Sequence, residues 1–306
     1  MSQALPPETM TAPLVCVVIP CHDRADTVEE AVRSVLEQTD APPFEVVAVD
    51  DHSRDDTLAV LRRIDDPRLR IAENRGRPGV SATRNLGAAL AAPSARWIAF
   101  QDSDDVWMPQ KLSRQIARLE GSSFVASYCG MLVKADARPE TRVQARFPDP
   151  SIAPLSGDIL PSLARGSYLS TQMLVIRRDV YEATGGFDEV LQALVDWELM
   201  LRVAQAGPVD FVDEDLVVQR MSENSITRSS RKRLAAQAHI LEKHGALLAR
   251  YPGVLAHHHH RLAGAHRAFG EFAEAAAHAG LALRARPGDP KYLANLLYLR
   301  GRHRFG

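Results

Sequence analysis

The sequence predicts an α/β fold, a parallel sheet covered by helices, followed by a small helical extension. Three observations carry that reading. Short β-branched apolar runs alternate four times with amphipathic stretches between residues 13 and about 120. Two acidic clusters, Asp50-Asp51 and Asp102 to Asp105, stand where apolar runs end. From about residue 230 the chain turns rich in Ala, Arg and His, with helical spacing.

The elements follow in order. Residues 1–12 read as a disordered lead. "PLVCVVIP" (13–20) is a buried strand. In the helix after it, Val28, Ala31, Val32, Val35 and Leu36 form one apolar stripe. Asp26 and Glu29 have the spacing of a capping box at its start. "FEVVAVDD" (44–51) and "RLRIAEN" (68–74) are the next strands, with a helix at "DDTLAVLRRI" between them. "GVSATRNLGAALAA" is a helix bearing Arg84, and "RWIAF" (96–100) is the fourth strand. Beyond residue 120 the alternation weakens. "SFVASYCGMLVKAD" and "VDFVDEDLVVQR" read as strands, "STQMLVIRRDVYEATGGFDE" as a strand, a short helix and a Gly-Gly turn, and "LVDWELMLRVAQAG" as a helix with Asp196 and Glu198 near its start. The organisation expected is a lead (1–12), an α/β domain (13–230) and a helical extension (231–306). Within the extension "AHRAFGEFAEAAAHAGLALRARPGDPKYL" is similar to one tetratricopeptide helix pair, turning at Gly270. One such unit cannot bury both faces, so it should pack on the main domain or on a partner.

Composition narrows the function classes. A chain 45% hydrophobic and 25% charged, with formal net charge −1, is an ordinary globular protein with no global basic field for nucleic acid. The three cysteines, Cys16, Cys21 and Cys129, show no metal-type spacing and no disulfide framework, which suits a reduced, cytoplasmic setting. "MSQALPPETMTAP" lacks the basic start and apolar core of a signal peptide. No run approaches the ~20 apolar residues of a membrane span, which leaves peripheral contact with the inner face of a membrane open.

The stretch "AFQDSDDVWMPQKL" (99–112) places three carboxylates in four positions after a strand. Alone, it reads equally as an acidic turn, with Ser103 or Asp105 capping a helix near Pro109, or as a divalent-cation site. In open α/β sheets ligands bind beyond the strand C-termini. Two acidic clusters at such ends can line one crevice, which favours the second reading.

Six motifs in order, "VVIPCHDRADTVEEAVRSVLEQT", "FEVVAVDDHSRDDT", "GVSATRNLGAALA", "WIAFQDSDDVWMPQKL", "GGFDE" and "DWELMLRV", resemble the family 2 glycosyltransferases. The resemblance covers roughly residues 13–230. It implies a GT-A fold, with a Rossmann-like nucleotide-binding sheet, and transfer of a sugar from a nucleotide sugar to an acceptor hydroxyl with inversion. Pro20, Cys21, His22 and Asp23 match the nucleobase loop, with His22 stacking on the base. Asp51 matches the carboxylate that accepts from the uracil imide, Asp50 a loop support, and Arg84 a basic residue near the nucleotide. "DSD" matches the DxD motif. Asp102 and Ser103 would then face the donor. Asp104, helped by Asp102, would hold Mn²⁺ or Mg²⁺ between the two phosphates, leaving Asp105 as the helix cap. Asp196 matches the catalytic base or, as an ordinary reading, an acidic N-cap, and Glu198 a support.

Two departures qualify the match. After the last strand "VQRMSENSIT" offers Arg220, Ser222 and Asn224 where many relatives carry a His, which implies either phosphate contact by Arg220 or weaker metal binding. The Gln-x-x-Arg-Trp signature of processive synthases is absent, which implies transfer of a single sugar, with a UDP-sugar favoured as donor and a sugar, lipid-linked or protein acceptor. A sugar nucleotidyltransferase would need a Gly-rich basic loop where "PCHDRAD" stands. An inactive GT-A module binding a nucleotide sugar or a partner is the remaining alternative. The run His257–His260 points all round a helix, so only a pair such as His257 with His260 could share an ion.

Overall fold

The computed structural model describes residues 12–221 and 230–305. Residues 1–11 of the expected disordered lead (1–12), and Ser222 and Asn224, lie outside them. The first half runs β1 (Val15–Cys21), α1 (Val28–Leu36), β2 (Phe44–Asp50), α2 (Thr57–Leu61), β3 (Leu69–Glu73), α3 (Val80–Ala89) and β4 (Trp97–Phe100). Next come β5 (Val106–Trp107), α4 (Lys111–Leu119), β6 (Ala126–Lys134), β7 (Ala145–Phe147) and α5 (Leu160–Arg165). A 3₁₀ turn (Thr171–Met173) leads into β8 (Val175–Arg177), α6 (Arg178–Ala183), α7 (Val195–Ala206) and β9 (Val209–Arg220). The extension is four helices: α8 (Ser230–Leu248), α9 (Pro252–Ala268), α10 (Phe272–Ala285) and α11 (Pro290–Phe305).

Among the described residues the strands form one sheet in the order β3-β2-β1-β4-β8-β6-β9-β5, with β7 added on β6. The first four strands read from the sequence, β1 to β4, are mutually parallel. Helices cover both their faces, so every residue of β1 is buried and its sequence is a continuous apolar run rather than an alternation. The second half changes direction. β8 is antiparallel to both β4 and β6, while β6 and β9 pair in parallel with a register irregularity at Gly130.

Packing fixes where the chemistry sits. The stripe on α1 is buried as its spacing predicts. On α3, a Cβ at Gly87 would collide with Val18 Cγ1, so the helix rests directly on β1. Arg84, one turn earlier on the same face, is thereby held at the C-terminal rim of the sheet.

Three capping expectations are corrected. Helix α1 starts at Val28, and Asp26 and Glu29 form no capping box. The Arg24 carbonyl accepts from the Thr27 and Val28 N–H groups, and Glu29 pairs with Arg33 instead. Asp105 does not cap the following helix. Strand β5 intervenes, α4 begins at Lys111 after Gln110, and Asp105 is turned inward. Asp196 is not the N-cap of α7. Leu194 occupies that position in a left-handed conformation (φ 57°), and Asp196 is the second residue of the helix.

The extension packs on the main sheet domain, through a charged cluster on α8 described below and through α9. His258 Nε2 donates to the Ala164 carbonyl at 2.7 Å, and the ring lies against Trp197. The four consecutive histidines diverge, as expected of a helix. His259 meets His278 and His260 lies against Tyr292. Gly270 (φ 79°) makes the turn between α9 and α10.

Candidate active site

The C-terminal ends of β1 and β2 are stitched together. The Asp51 N–H donates to the Cys21 carbonyl at 2.7 Å, and His22 Nδ1 donates to the Asp51 carbonyl at 2.6 Å. Pro20 and Cys21 are the buried last residues of β1, so the loop proper begins at His22, whose ring is exposed. Asp23 sits in a left-handed turn (φ 49°) and its carboxylate accepts from the Arg54 N–H at 2.7 Å.

Asp51 is buried and both its carboxylate oxygens are engaged. Oδ1 accepts from Asn74 Nδ2 at 2.7 Å, and Oδ2 accepts from the Gly79 N–H at 2.8 Å. It therefore fixes the β3–α3 loop, a support assigned from the motif to Asp50. Asp50 accepts from the Ser53 N–H at 3.2 Å, and its other oxygen is buried with no partner.

The acidic stretch lies one strand away, past β4. Its backbone is anchored where Thr27 Oγ1 donates to the Ser103 carbonyl at 2.9 Å, and Ser103 itself is buried. Asp102 Oδ1 accepts from Arg84 Nη2 at 2.5 Å, and the Arg84 guanidinium also lies 5.3 Å from the centre of the Phe187 ring. Asp104 faces the Arg24 Nε at 3.5 Å and keeps partial exposure. Asp105 is buried, accepting from Gln172 Nε2 at 2.7 Å and from the Arg220 N–H at 2.9 Å. Arg220 also forms a 2.6 Å ion pair with Glu30, so its charge is already matched on one side.

This crowding of like charges shows in the proton affinities. Burial, and then the neighbouring Asp102 charge, raise the Asp104 carboxyl above its ordinary value, with Arg24 partly offsetting. Burial, followed by Asp102 and Asp104, holds Asp105 well above it. Asp196 belongs to the same electrostatic cluster. Burial pushes its carboxyl up to about 6, the Trp197 N–H and Arg84 pull it down, and Asp102 pushes it up. Its Oδ1 accepts from the Trp197 N–H at 2.7 Å. Thus Asp102, Arg84 and Asp196, separated widely in sequence, share one field at the rim of the sheet.

Behind Asp196 a second network holds α7 and the "GGFDE" loop. Glu198 is fully buried and is met by Arg202 Nη2 at 2.5 Å, His244 Nε2 at 2.9 Å and Lys243 Nζ at 3.0 Å. Lys243 also pairs with Asp188 at 2.6 Å. Asn85, next to Arg84, closes the loop from the other side: its Oδ1 accepts from the Phe187 N–H and the Tyr181 hydroxyl, and its Nδ2 donates to the Phe187 carbonyl. A Cβ at Gly186 would lie 2.6 Å from Asn85 Oδ1, and φ there is 67°, so this contact requires glycine. Sequence reading singled out none of Arg24, Thr27, Asn74 and Asn85. Each is an ordinary polar residue whose partner lies far along the chain.

Among the described residues, no three His, Cys, Asp or Glu side chains already converge as a metal cage. The donor set nevertheless suits a hard cation that takes its remaining oxygens from a ligand and water. Asp102 and Asp104 are carboxylates gathered at a partly open rim, and burial, then the neighbouring Asp102 charge, make the ionised Asp104 costly there without a cation, with Arg24 offsetting it only in part.

The model of glycosyl transferase family 2 matches residues 16–185. The UDP-Glc:alpha-D-GlcNAc-diphosphoundecaprenol beta-1,3-glucosyltransferase WfaP of Escherichia coli is 35% identical over 123 residues, 40% of this chain and 48% of that one. The succinoglycan biosynthesis protein ExoO of Rhizobium meliloti is 31% identical over 234 residues, 73% of this chain and 65% of that one. The match thus spans about half to two thirds of these relatives' own lengths. Among solved structures, S. aureus TarS 1-349 in complex with UDP-GlcNAc superposes with a TM-score of 0.65 at 18% identity, covering 94% of this chain and 87% of that one. The mannosyltransferase PcManGT from Pyrobaculum calidifontis, in complex with GDP-Man and Mn²⁺, gives 0.60 at 20% identity, covering 97% and 82%. The fold is the GT-A fold.

Proposed function

We propose that this chain, which belongs to glycosyl transferase family 2, moves a single sugar from a nucleotide-sugar donor to an acceptor hydroxyl with inversion, in a divalent-metal-dependent reaction. The observation that carries the proposal is the shared field of Asp102, Arg84 and Asp196 beside Asp104 at the strand ends. A UDP-sugar is the favoured donor. The exposed ring of His22 is free to stack on a base, with Pro20 and Asp23 shaping the loop. Asp51, beyond holding Asn74 and Gly79, has the second lone pairs of its oxygens for the base edge.

Asp104 and Asp102 would hold Mn²⁺ or Mg²⁺, which supplies positive charge to a departing nucleoside diphosphate. Ser103 lies between them as a backbone anchor. Arg84 fixes Asp102, and Arg220, with Arg24, adds positive charge near Asp104, where phosphate oxygens would sit. Asp196 removes the acceptor hydroxyl proton as the oxygen attacks the anomeric carbon from the face opposite the leaving phosphate. A carboxyl titrating near 6 is ionised at neutral pH yet basic enough to share that proton. A cytoplasmic location fits the three free cysteines.

Release of UDP from a panel of UDP-sugars in the presence of Mn²⁺ tests this reading. Slow, metal-dependent release from at least one donor is expected. Tight nucleotide-sugar binding without turnover, with or without acceptor, would favour a non-enzymatic binding module instead.

A further inference from the structure

The helical extension differs in charge from the rest of the chain. Residues 231–306 carry 13 Lys and Arg against 4 Asp and Glu, a net charge of +9, in a chain whose total is −1. The remaining residues therefore carry −10. A near-neutral total hides a strongly polarised molecule.

The last helix adds a second, independent feature. Tyr292, Leu296 and Leu299 of α11 are buried against α9 and α10. The opposite face is also apolar, and it is uncovered. Leu293, Leu297 and Tyr298 are 47%, 62% and 50% exposed. These are three of the eight large apolar side chains exposed among the described residues, and they lie within six positions of one helix. At 3.6 residues per turn Leu293, Ala294, Leu297 and Tyr298 span an arc of about 140°. Arg300 flanks that arc on one side, with Lys291 and Arg302 on the other, all three exposed. No Asp or Glu occurs between residues 290 and 306. An apolar strip between two basic margins is the pattern of a helix lying in a membrane interface.

We infer that the outer face of α11 docks on an anionic phospholipid surface, Leu293, Leu297 and Tyr298 entering the headgroup boundary while Lys291, Arg300 and Arg302 meet lipid phosphates. Charge favours this occupant over a second copy of the chain. Two such faces brought together would oppose basic margin to basic margin, and an anionic bilayer matches them. The polarity of the chain also orients it, since the surface attracts the extension and repels the acidic remainder within a Debye length. The inference does not depend on the reaction proposed above.

Co-sedimentation of the full chain with vesicles tests it. The wild type is expected to sediment with phosphatidylglycerol–phosphatidylcholine vesicles and to stay in solution with phosphatidylcholine alone. Leu297→Glu should weaken binding about tenfold or more, because it removes an inserted side chain and adds repulsion. Arg300→Gln should weaken it less. Val143→Glu, the same charge change at another exposed apolar site, should bind as the wild type does. All four should give the same helical circular dichroism. The inference is overturned if the wild type ignores anionic vesicles, if Leu297→Glu binds as well as the wild type, or if Val143→Glu loses as much. It is equally overturned if light scattering shows a dimer that Leu297→Glu dissociates, which would assign the face to a second copy.

Discussion

Asp196→Asn is expected to cut turnover by a factor on the order of 10² or more, as loss of a general base does. Donor affinity should stay close to the wild type, and the melting temperature should not fall and should rise slightly, because Asn removes a carboxyl that burial holds above its ordinary value. The structure makes the substitution a clean one. Asp196 does not cap α7, Leu194 does, and an Asn Oδ1 can still accept from the Trp197 N–H. The wild type should also lose turnover as pH falls through about 6, where the Asp196 carboxyl takes up a proton. Measuring kcat across pH for both proteins checks this: the variant should lack that acidic limb. Normal turnover in Asp196→Asn would move the base elsewhere on the "GGFDE" side of the crevice.

The second large effect is on stability. Glu198→Ala removes a fully buried carboxylate that Arg202, Lys243 and His244 share, leaving Arg202 and His244 largely buried without it. Breaking such a cluster costs about 3–5 kcal/mol, a fall in Tm of roughly 10 °C for a chain of this size. The pH dependence follows from the direction of the shift. Burial alone would raise the Glu198 carboxyl, but hydrogen bonds from His244 and Arg202 hold it down at about 2, against an ordinary 4.5. Its contribution is therefore complete above the unfolded value and is lost as pH falls toward 2. Thermal melts should show the gap between wild type and Glu198→Ala closing in acid. A constant gap from pH 7 to pH 3 would contradict the ionic account. Because Lys243 and His244 belong to α8, the variant should also loosen the extension, seen as faster amide exchange in α8 than in β1.

The difference between what was legible and what was not follows the reach of the interactions. Strands β1 to β4 and helices α1 and α3 were readable because each is defined by its own apolar spacing. The stripe from Val28 to Leu36 needed no knowledge of its partner. The strand ends followed from that, and with them the place of Asp50, Asp51, Asp102 and Asp104. The strand and short helix of "STQMLVIRRDVYEATGGFDE" were readable as β8 and α6, but β8 inserts antiparallel between β4 and β6, pairing Trp97 with Arg177, and nothing local announces that placement. Asp105 was misread for the same reason. Next to a helix start it resembles a cap, but the partners that draw it inward are Gln172 and Arg220, 67 and 115 residues away. Arg24 beside Asp104 and Asn85 beneath Phe187 are likewise visible only once the fold has brought the partners together. The charge asymmetry of the extension was present in the sequence throughout, but a whole-chain total conceals it.

The central claim is that Asp104 anchors a divalent cation needed to hold the nucleotide diphosphate. Calorimetric titration of UDP into the wild type and into Asp104→Asn, each with and without Mn²⁺, tests it most directly. The account predicts that Mn²⁺ tightens UDP binding to the wild type by at least tenfold, and that Asp104→Asn binds UDP equally weakly in both conditions while melting at the wild-type temperature or slightly above it. A slightly higher Tm is consistent because the substitution relieves a carboxylate held above its ordinary proton affinity. Equal, metal-independent UDP affinity in both proteins would contradict the assignment of the acidic stretch to metal and donor binding.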